Sequence, residues 1–342
     1  MIAHPPHLLA VRTATPVHVL DQGDVAERAR RLFGSRLDID RLMPVFAHTG
    51  IDRRFSCVPL DWFECEHGWA ERNALYLESA LDLLERVTLD CLDEARLEPK
   101  DLDAIVVVSS TGIATPSLDA LLIERLGLRR DVLRLPIFGL GCAGGVLGLA
   151  RAAAIAASCP RVLFLVVELC SLTFRKNDHS KSNVVAAALF GDGAAGAILS
   201  TRDPGAAIEA WGEYLWPQTL DVMGWEVEDD GLKVRFAQNI PALVAADFRG
   251  VAEDFLKQNE LTLADLGEVA CHPGGAKVLA AFESVLERPL DDSRSVLRDY
   301  GNMSAASVMF VLERMGRAPA ARRLVAGLGP GFTAGFLTIG AA

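Results

Sequence analysis

Residues 137–156 read Ile-Phe-Gly-Leu-Gly-Cys-Ala-Gly-Gly-Val-Leu-Gly-Leu-Ala-Arg-Ala-Ala-Ala-Ile-Ala, and this stretch decides the fold. The Gly-Leu-Gly turn predicts that Cys142 begins a helix of small residues. Backbone N–H groups and the positive end of the helix dipole would then face the sulfur, lower the pKa of the thiol and favour the nucleophilic thiolate. The glycines and alanines leave room for another segment to pack against this helix. A buried structural cysteine in a core helix accounts for the same residues.

The composition indicates a globular chain with a large core. The 342 residues are 51% hydrophobic, which suits one large or two medium domains and excludes a disordered or fibrous class. A formal net charge of −11 argues against nucleic acid or an anionic membrane as the main partner. No apolar run reaches the length of a membrane span, so we expect no integral membrane segment.

The cysteines predict free thiols. Seven cysteines form no Cys-x-x-Cys pair, and the chain begins with no signal-peptide pattern. We therefore expect a reducing, cytoplasmic location. Cys65 and His67 have no further ligands at zinc spacing, so we expect no metal site.

The second half of the chain repeats the first. Residues 89–108 and 252–271 each contain a helix, a polar turn with Asp-Leu and the start of a strand. Gly301-Asn302 and the helix after it correspond to Gly141-Cys142 and its helix, and further matches pair 161–167 with 323–326 and 191–199 with 329–339. We predict an α/β protein with halves 1–204 and 205–342, related by a pseudo-twofold axis, and a pocket between them.

Other elements follow from periodicity and turn residues. We predict helices over 22–33, 71–97 and 117–127, a strand over 8–20 with a Thr-Pro break, and buried strands over 103–109 and 161–167.

The repeat also predicts which side chains meet. His272 follows a core strand, and Asn302 begins the helix that mirrors the Cys142 helix. Pseudo-symmetry brings these three residues to the midline. An imidazole can hold a cysteine as thiolate, and a neutral imidazole and an amide can both donate to a thioester oxygen as it gains negative charge. Taken alone, His272 also suits a structural role.

At this point the sequence resembles the type III polyketide synthases, the chalcone and stilbene synthase-like branch of the thiolase superfamily. The resemblance covers nearly the whole chain. It is carried by Thr13-Ala-Thr-Pro, Gly141-Cys142-Ala-Gly, Leu189-Phe190-Gly-Asp-Gly-Ala-Ala, His272-Pro-Gly-Gly, Gly301-Asn302-Met-Ser and Gly327-Leu-Gly-Pro-Gly. The resemblance implies a duplicated, thiolase-like αβαβα fold. It also implies that acyl-CoA and malonyl-CoA are the substrates and that no cofactor is needed.

The resemblance also implies roles for single residues. Cys142 would take an acyl group from a starter acyl-CoA. His272 and Asn302 would stabilise the enolate formed when malonyl-CoA loses carbon dioxide, and a Claisen condensation would extend the chain. Phe190 matches a gatekeeping phenylalanine between the CoA tunnel and the cavity. Val234 falls at a second gatekeeper position, where its smaller side chain would widen the passage.

Further matches concern the cavity wall and ring closure. The cavity-lining matches are Thr173, Cys170, Thr111 and Thr115, with Gly275 also expected to contact substrate. Ser110, Glu168 and Ser304 match a network that steers cyclisation in some members, and Gly327, Gly329, Pro330 and Gly331 match the cyclisation loop. Basic residues that hold CoA phosphates in plant members have no clean counterparts.

Residues 109–117 and 167–174 resemble the matching segments of bacterial members that make alkylresorcinols or alkylpyrones from fatty acyl-CoA.

Three alternatives remain at this stage: a ketoacyl-carrier-protein synthase III-like enzyme that extends once, a cysteine hydrolase with the order Cys, His, Asn, and a non-catalytic interaction subunit. The family forms homodimers. We therefore expect a second copy against residues 103–125, with Thr115 near the partner.

Overall fold

The computed structural model describes residues 5–34, 39–237 and 239–341. Its strands are β1 (His7–Ala14), β2 (His18–Asp21), β3 (Arg53–Ser56), β4 (Ala104–Val108), β5 (Leu133–Ile137), β6 (Arg161–Leu169), β7 (Asp192–Ser200), β8 (Ala206–Leu215), β9 (Met223–Glu228), β10 (Gly231–Phe236), β11 (Glu268–Cys271), β12 (Arg323–Gly329) and β13 (Thr333–Ile339).

Its α-helices are α1 (Gln22–Phe33), α2 (Pro44–Ala47), α3 (Trp69–Ala95), α4 (Leu118–Leu126), α5 (Gly144–Ile155), α6 (Lys181–Leu189), α7 (Ile240–Leu243), α8 (Arg249–Gln258), α9 (Ala276–Leu286), α10 (Asp291–Tyr300) and α11 (Ser307–Met315). Single 3₁₀ turns over Gly141–Ala143 and Ser304–Ala306 precede α5 and α11.

The predicted elements are present, with small shifts at their ends. Helix α1 spans the predicted residues, and the side chain of its N-cap, Asp21, accepts a hydrogen bond from the Gly23 N–H. Helix α3 begins two residues before the predicted start and ends two residues before the predicted end. The Thr-Pro break divides the predicted first strand into β1 and β2.

Nine of the described strands form one mixed sheet in the order β11-β12-β13-β8-β1-β7-β6-β4-β5. On one side β4 and β6 are parallel, and β6, β7 and β1 are antiparallel in turn. On the other side β11, β12, β13 and β8 repeat this pattern. The two sides meet where β1 pairs with β8, His7 lying opposite Ala207. The topology therefore repeats as the internal sequence match predicts. The boundary after residue 204 stays a prediction.

Helices α5 and α11 form the middle layer, because each contacts strands from both sides of the sheet. Helix α3 packs on the outer face of β1, β6 and β7, and α8 and α9 contribute to the hydrophobic core of the second half. Small residues permit this arrangement. A Cβ at Gly145 would collide with the carbonyl oxygen of Ala305, and one at Gly148 would lie 2.6 Å from Phe164. The predicted close approach of another segment to α5 is confirmed.

The central strands consist mainly of buried apolar residues. Every residue of β7 and all but the first of β6 are buried. Burial of one Val, Leu or Phe side chain contributes about 1.5–3 kcal/mol, so these strands form a rigid frame for the loops at their ends. Within the described ranges, no helix has both the length and the apolar character needed to cross a bilayer.

Candidate active site

Cys142 lies in the 3₁₀ turn directly before α5, at the predicted helix start. The turn requires glycine at position 141, for two reasons. Gly141 has a φ of +45°, and a Cβ there would lie 2.6 Å from the Pro330 ring. The backbone thus brings Pro330, from the other half of the chain, directly against the cysteine turn.

The surroundings of the thiol differ from the prediction. Burial raises the pKa of Cys142 to about 12, while hydrogen bonds with the Ser304 and Asn302 side chains act in the opposite direction. The Sγ donates to the Ser304 Oγ at 3.7 Å. The direction is opposite to the expected lowering at the helix N-terminus, because burial has the largest effect on this pKa.

His272 extends β11 by one residue, its N–H donating to the Ala326 carbonyl at 2.8 Å. Its side chain is 3% exposed, and neither ring nitrogen has a hydrogen-bond partner among the described residues. Burial lowers the pKa of His272 to about 3, so the ring is neutral. A neutral imidazole retains one N–H to donate to a substrate oxygen. The Cys142 Sγ donates to Ser304 in this structure, and the expected role of the imidazole in holding Cys142 as a thiolate stays a prediction.

Asn302 is fixed through its backbone and its side chain. Its N–H donates to the Leu189 carbonyl at 2.8 Å, and its carbonyl accepts from the Gly191 N–H at 3.0 Å. The side-chain Oδ1 accepts from the Ser304 N–H at 2.9 Å, and Nδ2 donates to the Gly274 carbonyl at 3.1 Å. Because Oδ1 is occupied by an N–H donor, the amide orientation is set, and Nδ2 has a second N–H to offer.

The three predicted residues converge. Cys142, His272 and Asn302 line one cavity of about 490 Å³, and Gly275 lines it as well. The sulfur, the neutral imidazole and the amide therefore face a common space that can hold a thioester.

Four exposed basic residues at this cavity were not identified from the sequence. They are Arg41, His48, Lys181 and Lys277. They come from three separate parts of the chain, so no local spacing could have revealed the set. Side chains of this type bind phosphate groups. They make this cavity locally basic although the whole chain is negatively charged.

Phe190 directly follows α6, lines a second cavity and has its ring close to the wall of the large one. Its ring centroid is 5.6 Å from that of Phe236, which lines the large cavity. Phe190 also lines an apolar cavity of about 60 Å³. Three predicted residues line that smaller cavity: Cys170, Thr173 and Val234. The predicted substrate residues that line a cavity thus divide between two spaces.

Arg54 binds the backbone of the segment that contains Phe190. Its buried guanidinium donates to the carbonyls of Ala187 (2.7 Å), Ala188 (2.8 Å) and Phe190 (3.1 Å). These carbonyls are at the end of α6, where helical partners are missing. Burial lowers the pKa of Arg54 to about 9, so the side chain stays charged at neutral pH.

Glu168 lies at the buried end of β6, behind the Cys142 turn. It accepts hydrogen bonds from the Ser110 N–H (3.0 Å), the Ser110 Oγ (2.8 Å), the Thr111 Oγ1 (2.9 Å) and the Ser304 Oγ (3.4 Å). Burial raises the pKa of Glu168 to about 7. The predicted Ser110–Glu168–Ser304 network is therefore present. Thr111 belongs to this network and is not among the residues that line the two cavities.

Comparison with known proteins identifies the family. Residues 63–204 match the N-terminal domain of the chalcone and stilbene synthases, and residues 208–339 match the C-terminal domain. The chain belongs to this family, the type III polyketide synthases. Its members are decarboxylating condensing acyltransferases, and the protein is therefore a transferase.

The relatives cover almost the whole synthase. This chain is 38% identical to a 1,3,6,8-tetrahydroxynaphthalene synthase from Streptomyces peucetius, and the match covers 96% of this chain and 92% of the relative. It is 29% identical to the alpha-pyrone synthesis polyketide synthase-like Pks18 of Mycobacterium tuberculosis, over 96% and 90%. The crystal structure of the tetrahydroxynaphthalene synthase from Streptomyces coelicolor superposes with a TM-score of 0.94 at 29% identity, covering 98% of this chain and 99% of that one. The expected thiolase-like fold is confirmed.

In this synthase, the loop of Gly327, Gly329, Pro330 and Gly331 lies behind the nucleophile. A Cβ at Gly327 would lie 3.6 Å from the Cys142 carbonyl oxygen, and one at Gly329 would lie 2.6 Å from the Ala143 Cβ. Gly331 has a φ of +70° in the turn from β12 to β13. The loop therefore sets the position of Cys142, and its part in ring closure stays a prediction.

Thr115 differs from the other predicted residues of the synthase. It is exposed and is not among the residues that line either cavity of this protomer. Its expected position beside a second copy stays a prediction.

Proposed function

We propose that this synthase transfers a fatty acyl group from acyl-CoA to Cys142, extends it with malonyl-CoA, and releases an alkylpyrone or alkylresorcinol. The supporting observation is that Cys142, His272 and Asn302 face one cavity of about 490 Å³. The neutral His272 and the oriented amide of Asn302 are both able to donate hydrogen bonds there.

The first step is acyl transfer. The Cys142 sulfur gives up its proton as it attacks the thioester carbonyl carbon. The S–C bond to the enzyme forms, the C–S bond to CoA breaks, and CoA takes up a proton and leaves as its thiol. The basic residues Arg41, His48, Lys181 and Lys277 hold the phosphates of CoA. The acyl group is then retained on the enzyme while CoA exchanges for malonyl-CoA.

The second step forms the carbon–carbon bond. Malonyl-CoA loses carbon dioxide, and negative charge develops on its thioester oxygen. The His272 ring N–H and the second Nδ2 N–H of Asn302 stabilise that oxygen, and each such donor is worth roughly 10²–10³ in rate. The enolate carbon attacks the acyl group on Cys142, and the sulfur leaves. Because both donors are neutral, they are poor acids and do not protonate the carbanion.

The starter preference follows from the apolar space beyond Phe190. Cys170, Thr173 and Val234 line it together with side chains of α1, such as Val25 and Phe33. The hydroxyl of Thr173 donates to the Cys170 carbonyl at 2.7 Å, which leaves the wall largely apolar. This space suits the end of an alkyl chain, whereas a carboxylate or sugar there would lose its hydration.

A second candidate product is 1,3,6,8-tetrahydroxynaphthalene, the compound in the name of the relative at 38% identity. Its ten ring carbons correspond to five two-carbon units, so it requires no alkyl starter. The two candidates differ in whether an acyl-CoA is consumed.

The test is product mass spectrometry with malonyl-CoA and saturated acyl-CoAs of two to eighteen carbons. The proposal expects products whose mass rises with the starter by one two-carbon unit at a time. A single product that forms from malonyl-CoA alone, at the mass of tetrahydroxynaphthalene, would select the second candidate. Replacement of malonyl-CoA by malonyl carrier protein, with one extension only, would select the synthase III-like reaction.

We also propose a homodimer through β5. This strand ends the sheet with an open edge, and Ile113, Leu133 and Phe138 beside it are between 42% and 58% exposed. A second copy would cover this surface and reach Thr115. Light scattering should give twice the chain mass, and Phe138→Asp should give the monomer. A monomeric wild type would overturn this assignment.

A further inference from the structure

The small cavity beside Phe190, of about 60 Å³, has an inner and an outer side. On the inner side Cys170 is buried. The outer wall consists of partly exposed side chains from two segments: Arg28 and Leu32 from α1, and Leu60 and Phe63 from the 3₁₀ turn Leu60–Glu64. In the proposed function, an alkyl chain that passes Phe190 therefore ends against this outer wall.

Arg28 joins the two segments of the outer wall. Its Nη2 lies 2.9 Å from the Asp61 Oδ1, and its Nη1 lies 2.5 Å from the Glu64 Oε1. The Nη1 also donates to the Leu60 carbonyl at 3.4 Å. One side chain thus binds α1 to the turn at three points, and the position of Leu60 depends on it.

Arg28 also places a charge in a wall that is otherwise mainly apolar. Of the described residues that line this cavity, the charged ones are Arg28 and Arg54, and Arg54 is occupied with the carbonyls around Phe190. The Arg28 Nε is buried and has no hydrogen-bond partner within the described ranges. A growing alkyl chain gains about fourfold in affinity for each CH₂ that it buries. That gain ends where the chain meets a guanidinium held by two carboxylates, because a further CH₂ would have to break the ion pairs.

The turn is attached from its other side as well. The Lys176 Nζ donates to the Glu64 carbonyl at 2.7 Å, and the Asn177 Nδ2 donates to the Glu66 Oε1 at 2.9 Å. The ring of Phe63 packs edge-on against that of Phe174, with centroids 5.4 Å apart. Loss of Arg28 therefore frees the turn from α1 and leaves these other contacts in place.

We propose that Arg28, through its ion pairs with Asp61 and Glu64, sets the length of the longest starter that the synthase accepts. This inference rests on the proposed function, in which an alkyl starter occupies the small cavity. Arg28 determines specificity and takes no part in bond formation. An apolar residue in its place would lengthen the apolar space and release the α1 side of the turn, so longer starters would fit.

The experiment is a competition among saturated acyl-CoAs of six to eighteen carbons, mixed in equal amounts with malonyl-CoA and the synthase. Product masses give the relative kcat/KM of each starter. We expect the wild-type products to decrease sharply beyond one chain length. For the starter two carbons beyond that limit, Arg28→Leu should raise the product relative to that from hexanoyl-CoA about tenfold, the effect of burying one to two further CH₂ groups.

Two control variants separate the cavity wall from surface charge. Arg31 lies one turn further along α1, is exposed, is 3.9 Å from the Glu64 Oε1 and is not among the residues that line the cavity. Arg31→Leu should therefore keep the wild-type limit. Arg28→Lys keeps a charge in the wall and should keep the limit as well.

A third variant removes the ion pairs from the surface side. If Arg28→Leu fails to fold, Asp61→Asn combined with Glu64→Gln decides the outcome, since both side chains are exposed. This double variant should raise the same product ratio about threefold, because pairs with exposed carboxylates are weak.

Salt gives a readout that a folding defect would not give. Asp61 is 87% exposed, so high salt screens its pair with Arg28 and should move the wild-type limit to longer starters, while the limit of Arg28→Leu stays fixed. An unchanged limit in both Arg28→Leu and the double variant would overturn the inference alone, as would an equal shift in Arg31→Leu. A wild type that consumes no acyl-CoA of any length would overturn the proposed function and this inference with it.

Discussion

The backbones of Phe190 and Asn302 form a parallel bridge that joins the two halves of the synthase at its active site. The bridge has two hydrogen bonds, from Asn302 N–H to Leu189 O and from Gly191 N–H to Asn302 O. Phe190, at the small cavity, and Asn302, at the large one, are therefore joined through their backbones. A change in this unit should alter catalysis and stability together.

Gly301→Ala tests this unit. Gly301 has a φ of +70°, and an added Cβ would lie 2.9 Å from the Leu189 carbonyl oxygen that binds Asn302. We expect the free energy of unfolding to fall by about 2–3 kcal/mol, from the left-handed backbone and the contact combined. Product formation should fall at least tenfold. Urea denaturation and a steady-state assay provide the two measurements.

Gly316→Ala is the matched control for this prediction. Gly316 has a φ of +82°, and a Cβ there would have no heavy atom within 4 Å. The Gly316→Ala variant should lose only the backbone contribution, about 1–2 kcal/mol, and retain product formation. Equal losses of activity in both variants would show that the bridge has no special part in catalysis.

His272→Ala and Asn302→Ala should each slow malonyl-CoA decarboxylation by about 10²–10³-fold, because each removes one donor from the developing oxyanion. Release of labelled carbon dioxide measures this step separately from acylation. Acylation of Cys142 by dodecanoyl-CoA should be affected less in His272→Ala, since the thiol binds Ser304. Loss of acylation as large as the loss of decarboxylation would assign the imidazole to the thiol instead.

Glu168 makes stability depend on pH. Burial raises its pKa from 4.5 to about 7 in the folded protein. The folded state therefore binds the carboxyl proton of Glu168 more tightly than the unfolded state. The contribution of this proton to the free energy of unfolding is fully present below pH 4.5 and is lost as pH rises through 7. Relative to Glu168→Gln, the wild type should lose about 3 kcal/mol of unfolding free energy between these limits. Urea titrations of both proteins from pH 5 to 8 measure the difference, and parallel curves would contradict it.

Lys181→Ala and Lys277→Ala should raise KM for malonyl-CoA about 3- to 5-fold each, since exposed charge pairs contribute up to about 1 kcal/mol. The wild-type KM should rise with salt concentration, and less steeply in the variants. Lys257→Ala, on an exposed face of α8, is the control and should keep the wild-type KM. An unchanged KM in both cavity variants would remove these lysines from the CoA site.

Val234→Phe should shorten the longest accepted starter. Val234 is 8% exposed and lines the apolar cavity beyond Phe190, so a larger ring would fill that space. We expect turnover with tetradecanoyl-CoA to fall at least tenfold and turnover with hexanoyl-CoA to change little. Equal effects on both starters would place the alkyl chain elsewhere.

The sequence predicts the scaffold well because the two halves repeat. Once Gly141-Cys142 is matched with Gly301-Asn302, the symmetry of the sheet brings Cys142 and Asn302 to one crevice, and His272 follows from the strand before it. Such an argument depends on chain topology, which hydrophobic patterns and glycine turns encode locally.

The pKa values of buried groups, and contacts between residues far apart in the chain, are harder to predict from the sequence. The pKa of Cys142 depends on how much protein surrounds the sulfur, and residues that lie far away in the chain decide this. The basic residues of the cavity, such as Arg41 and Lys277, come from separate segments. Trp225 and Phe236, whose rings lie near Phe190, belong to a hairpin that carries none of the motifs.

The most direct test of the account is the covalent state of Cys142. The wild type is incubated with dodecanoyl-CoA, digested and analysed by peptide mass spectrometry, with and without a chase of malonyl-CoA. We expect a dodecanoyl adduct on the peptide of Cys142, consumed by the chase as extended products appear, and no adduct at that position in Cys142→Ala. An unmodified Cys142, or an adduct that malonyl-CoA does not consume, would contradict the proposed reaction.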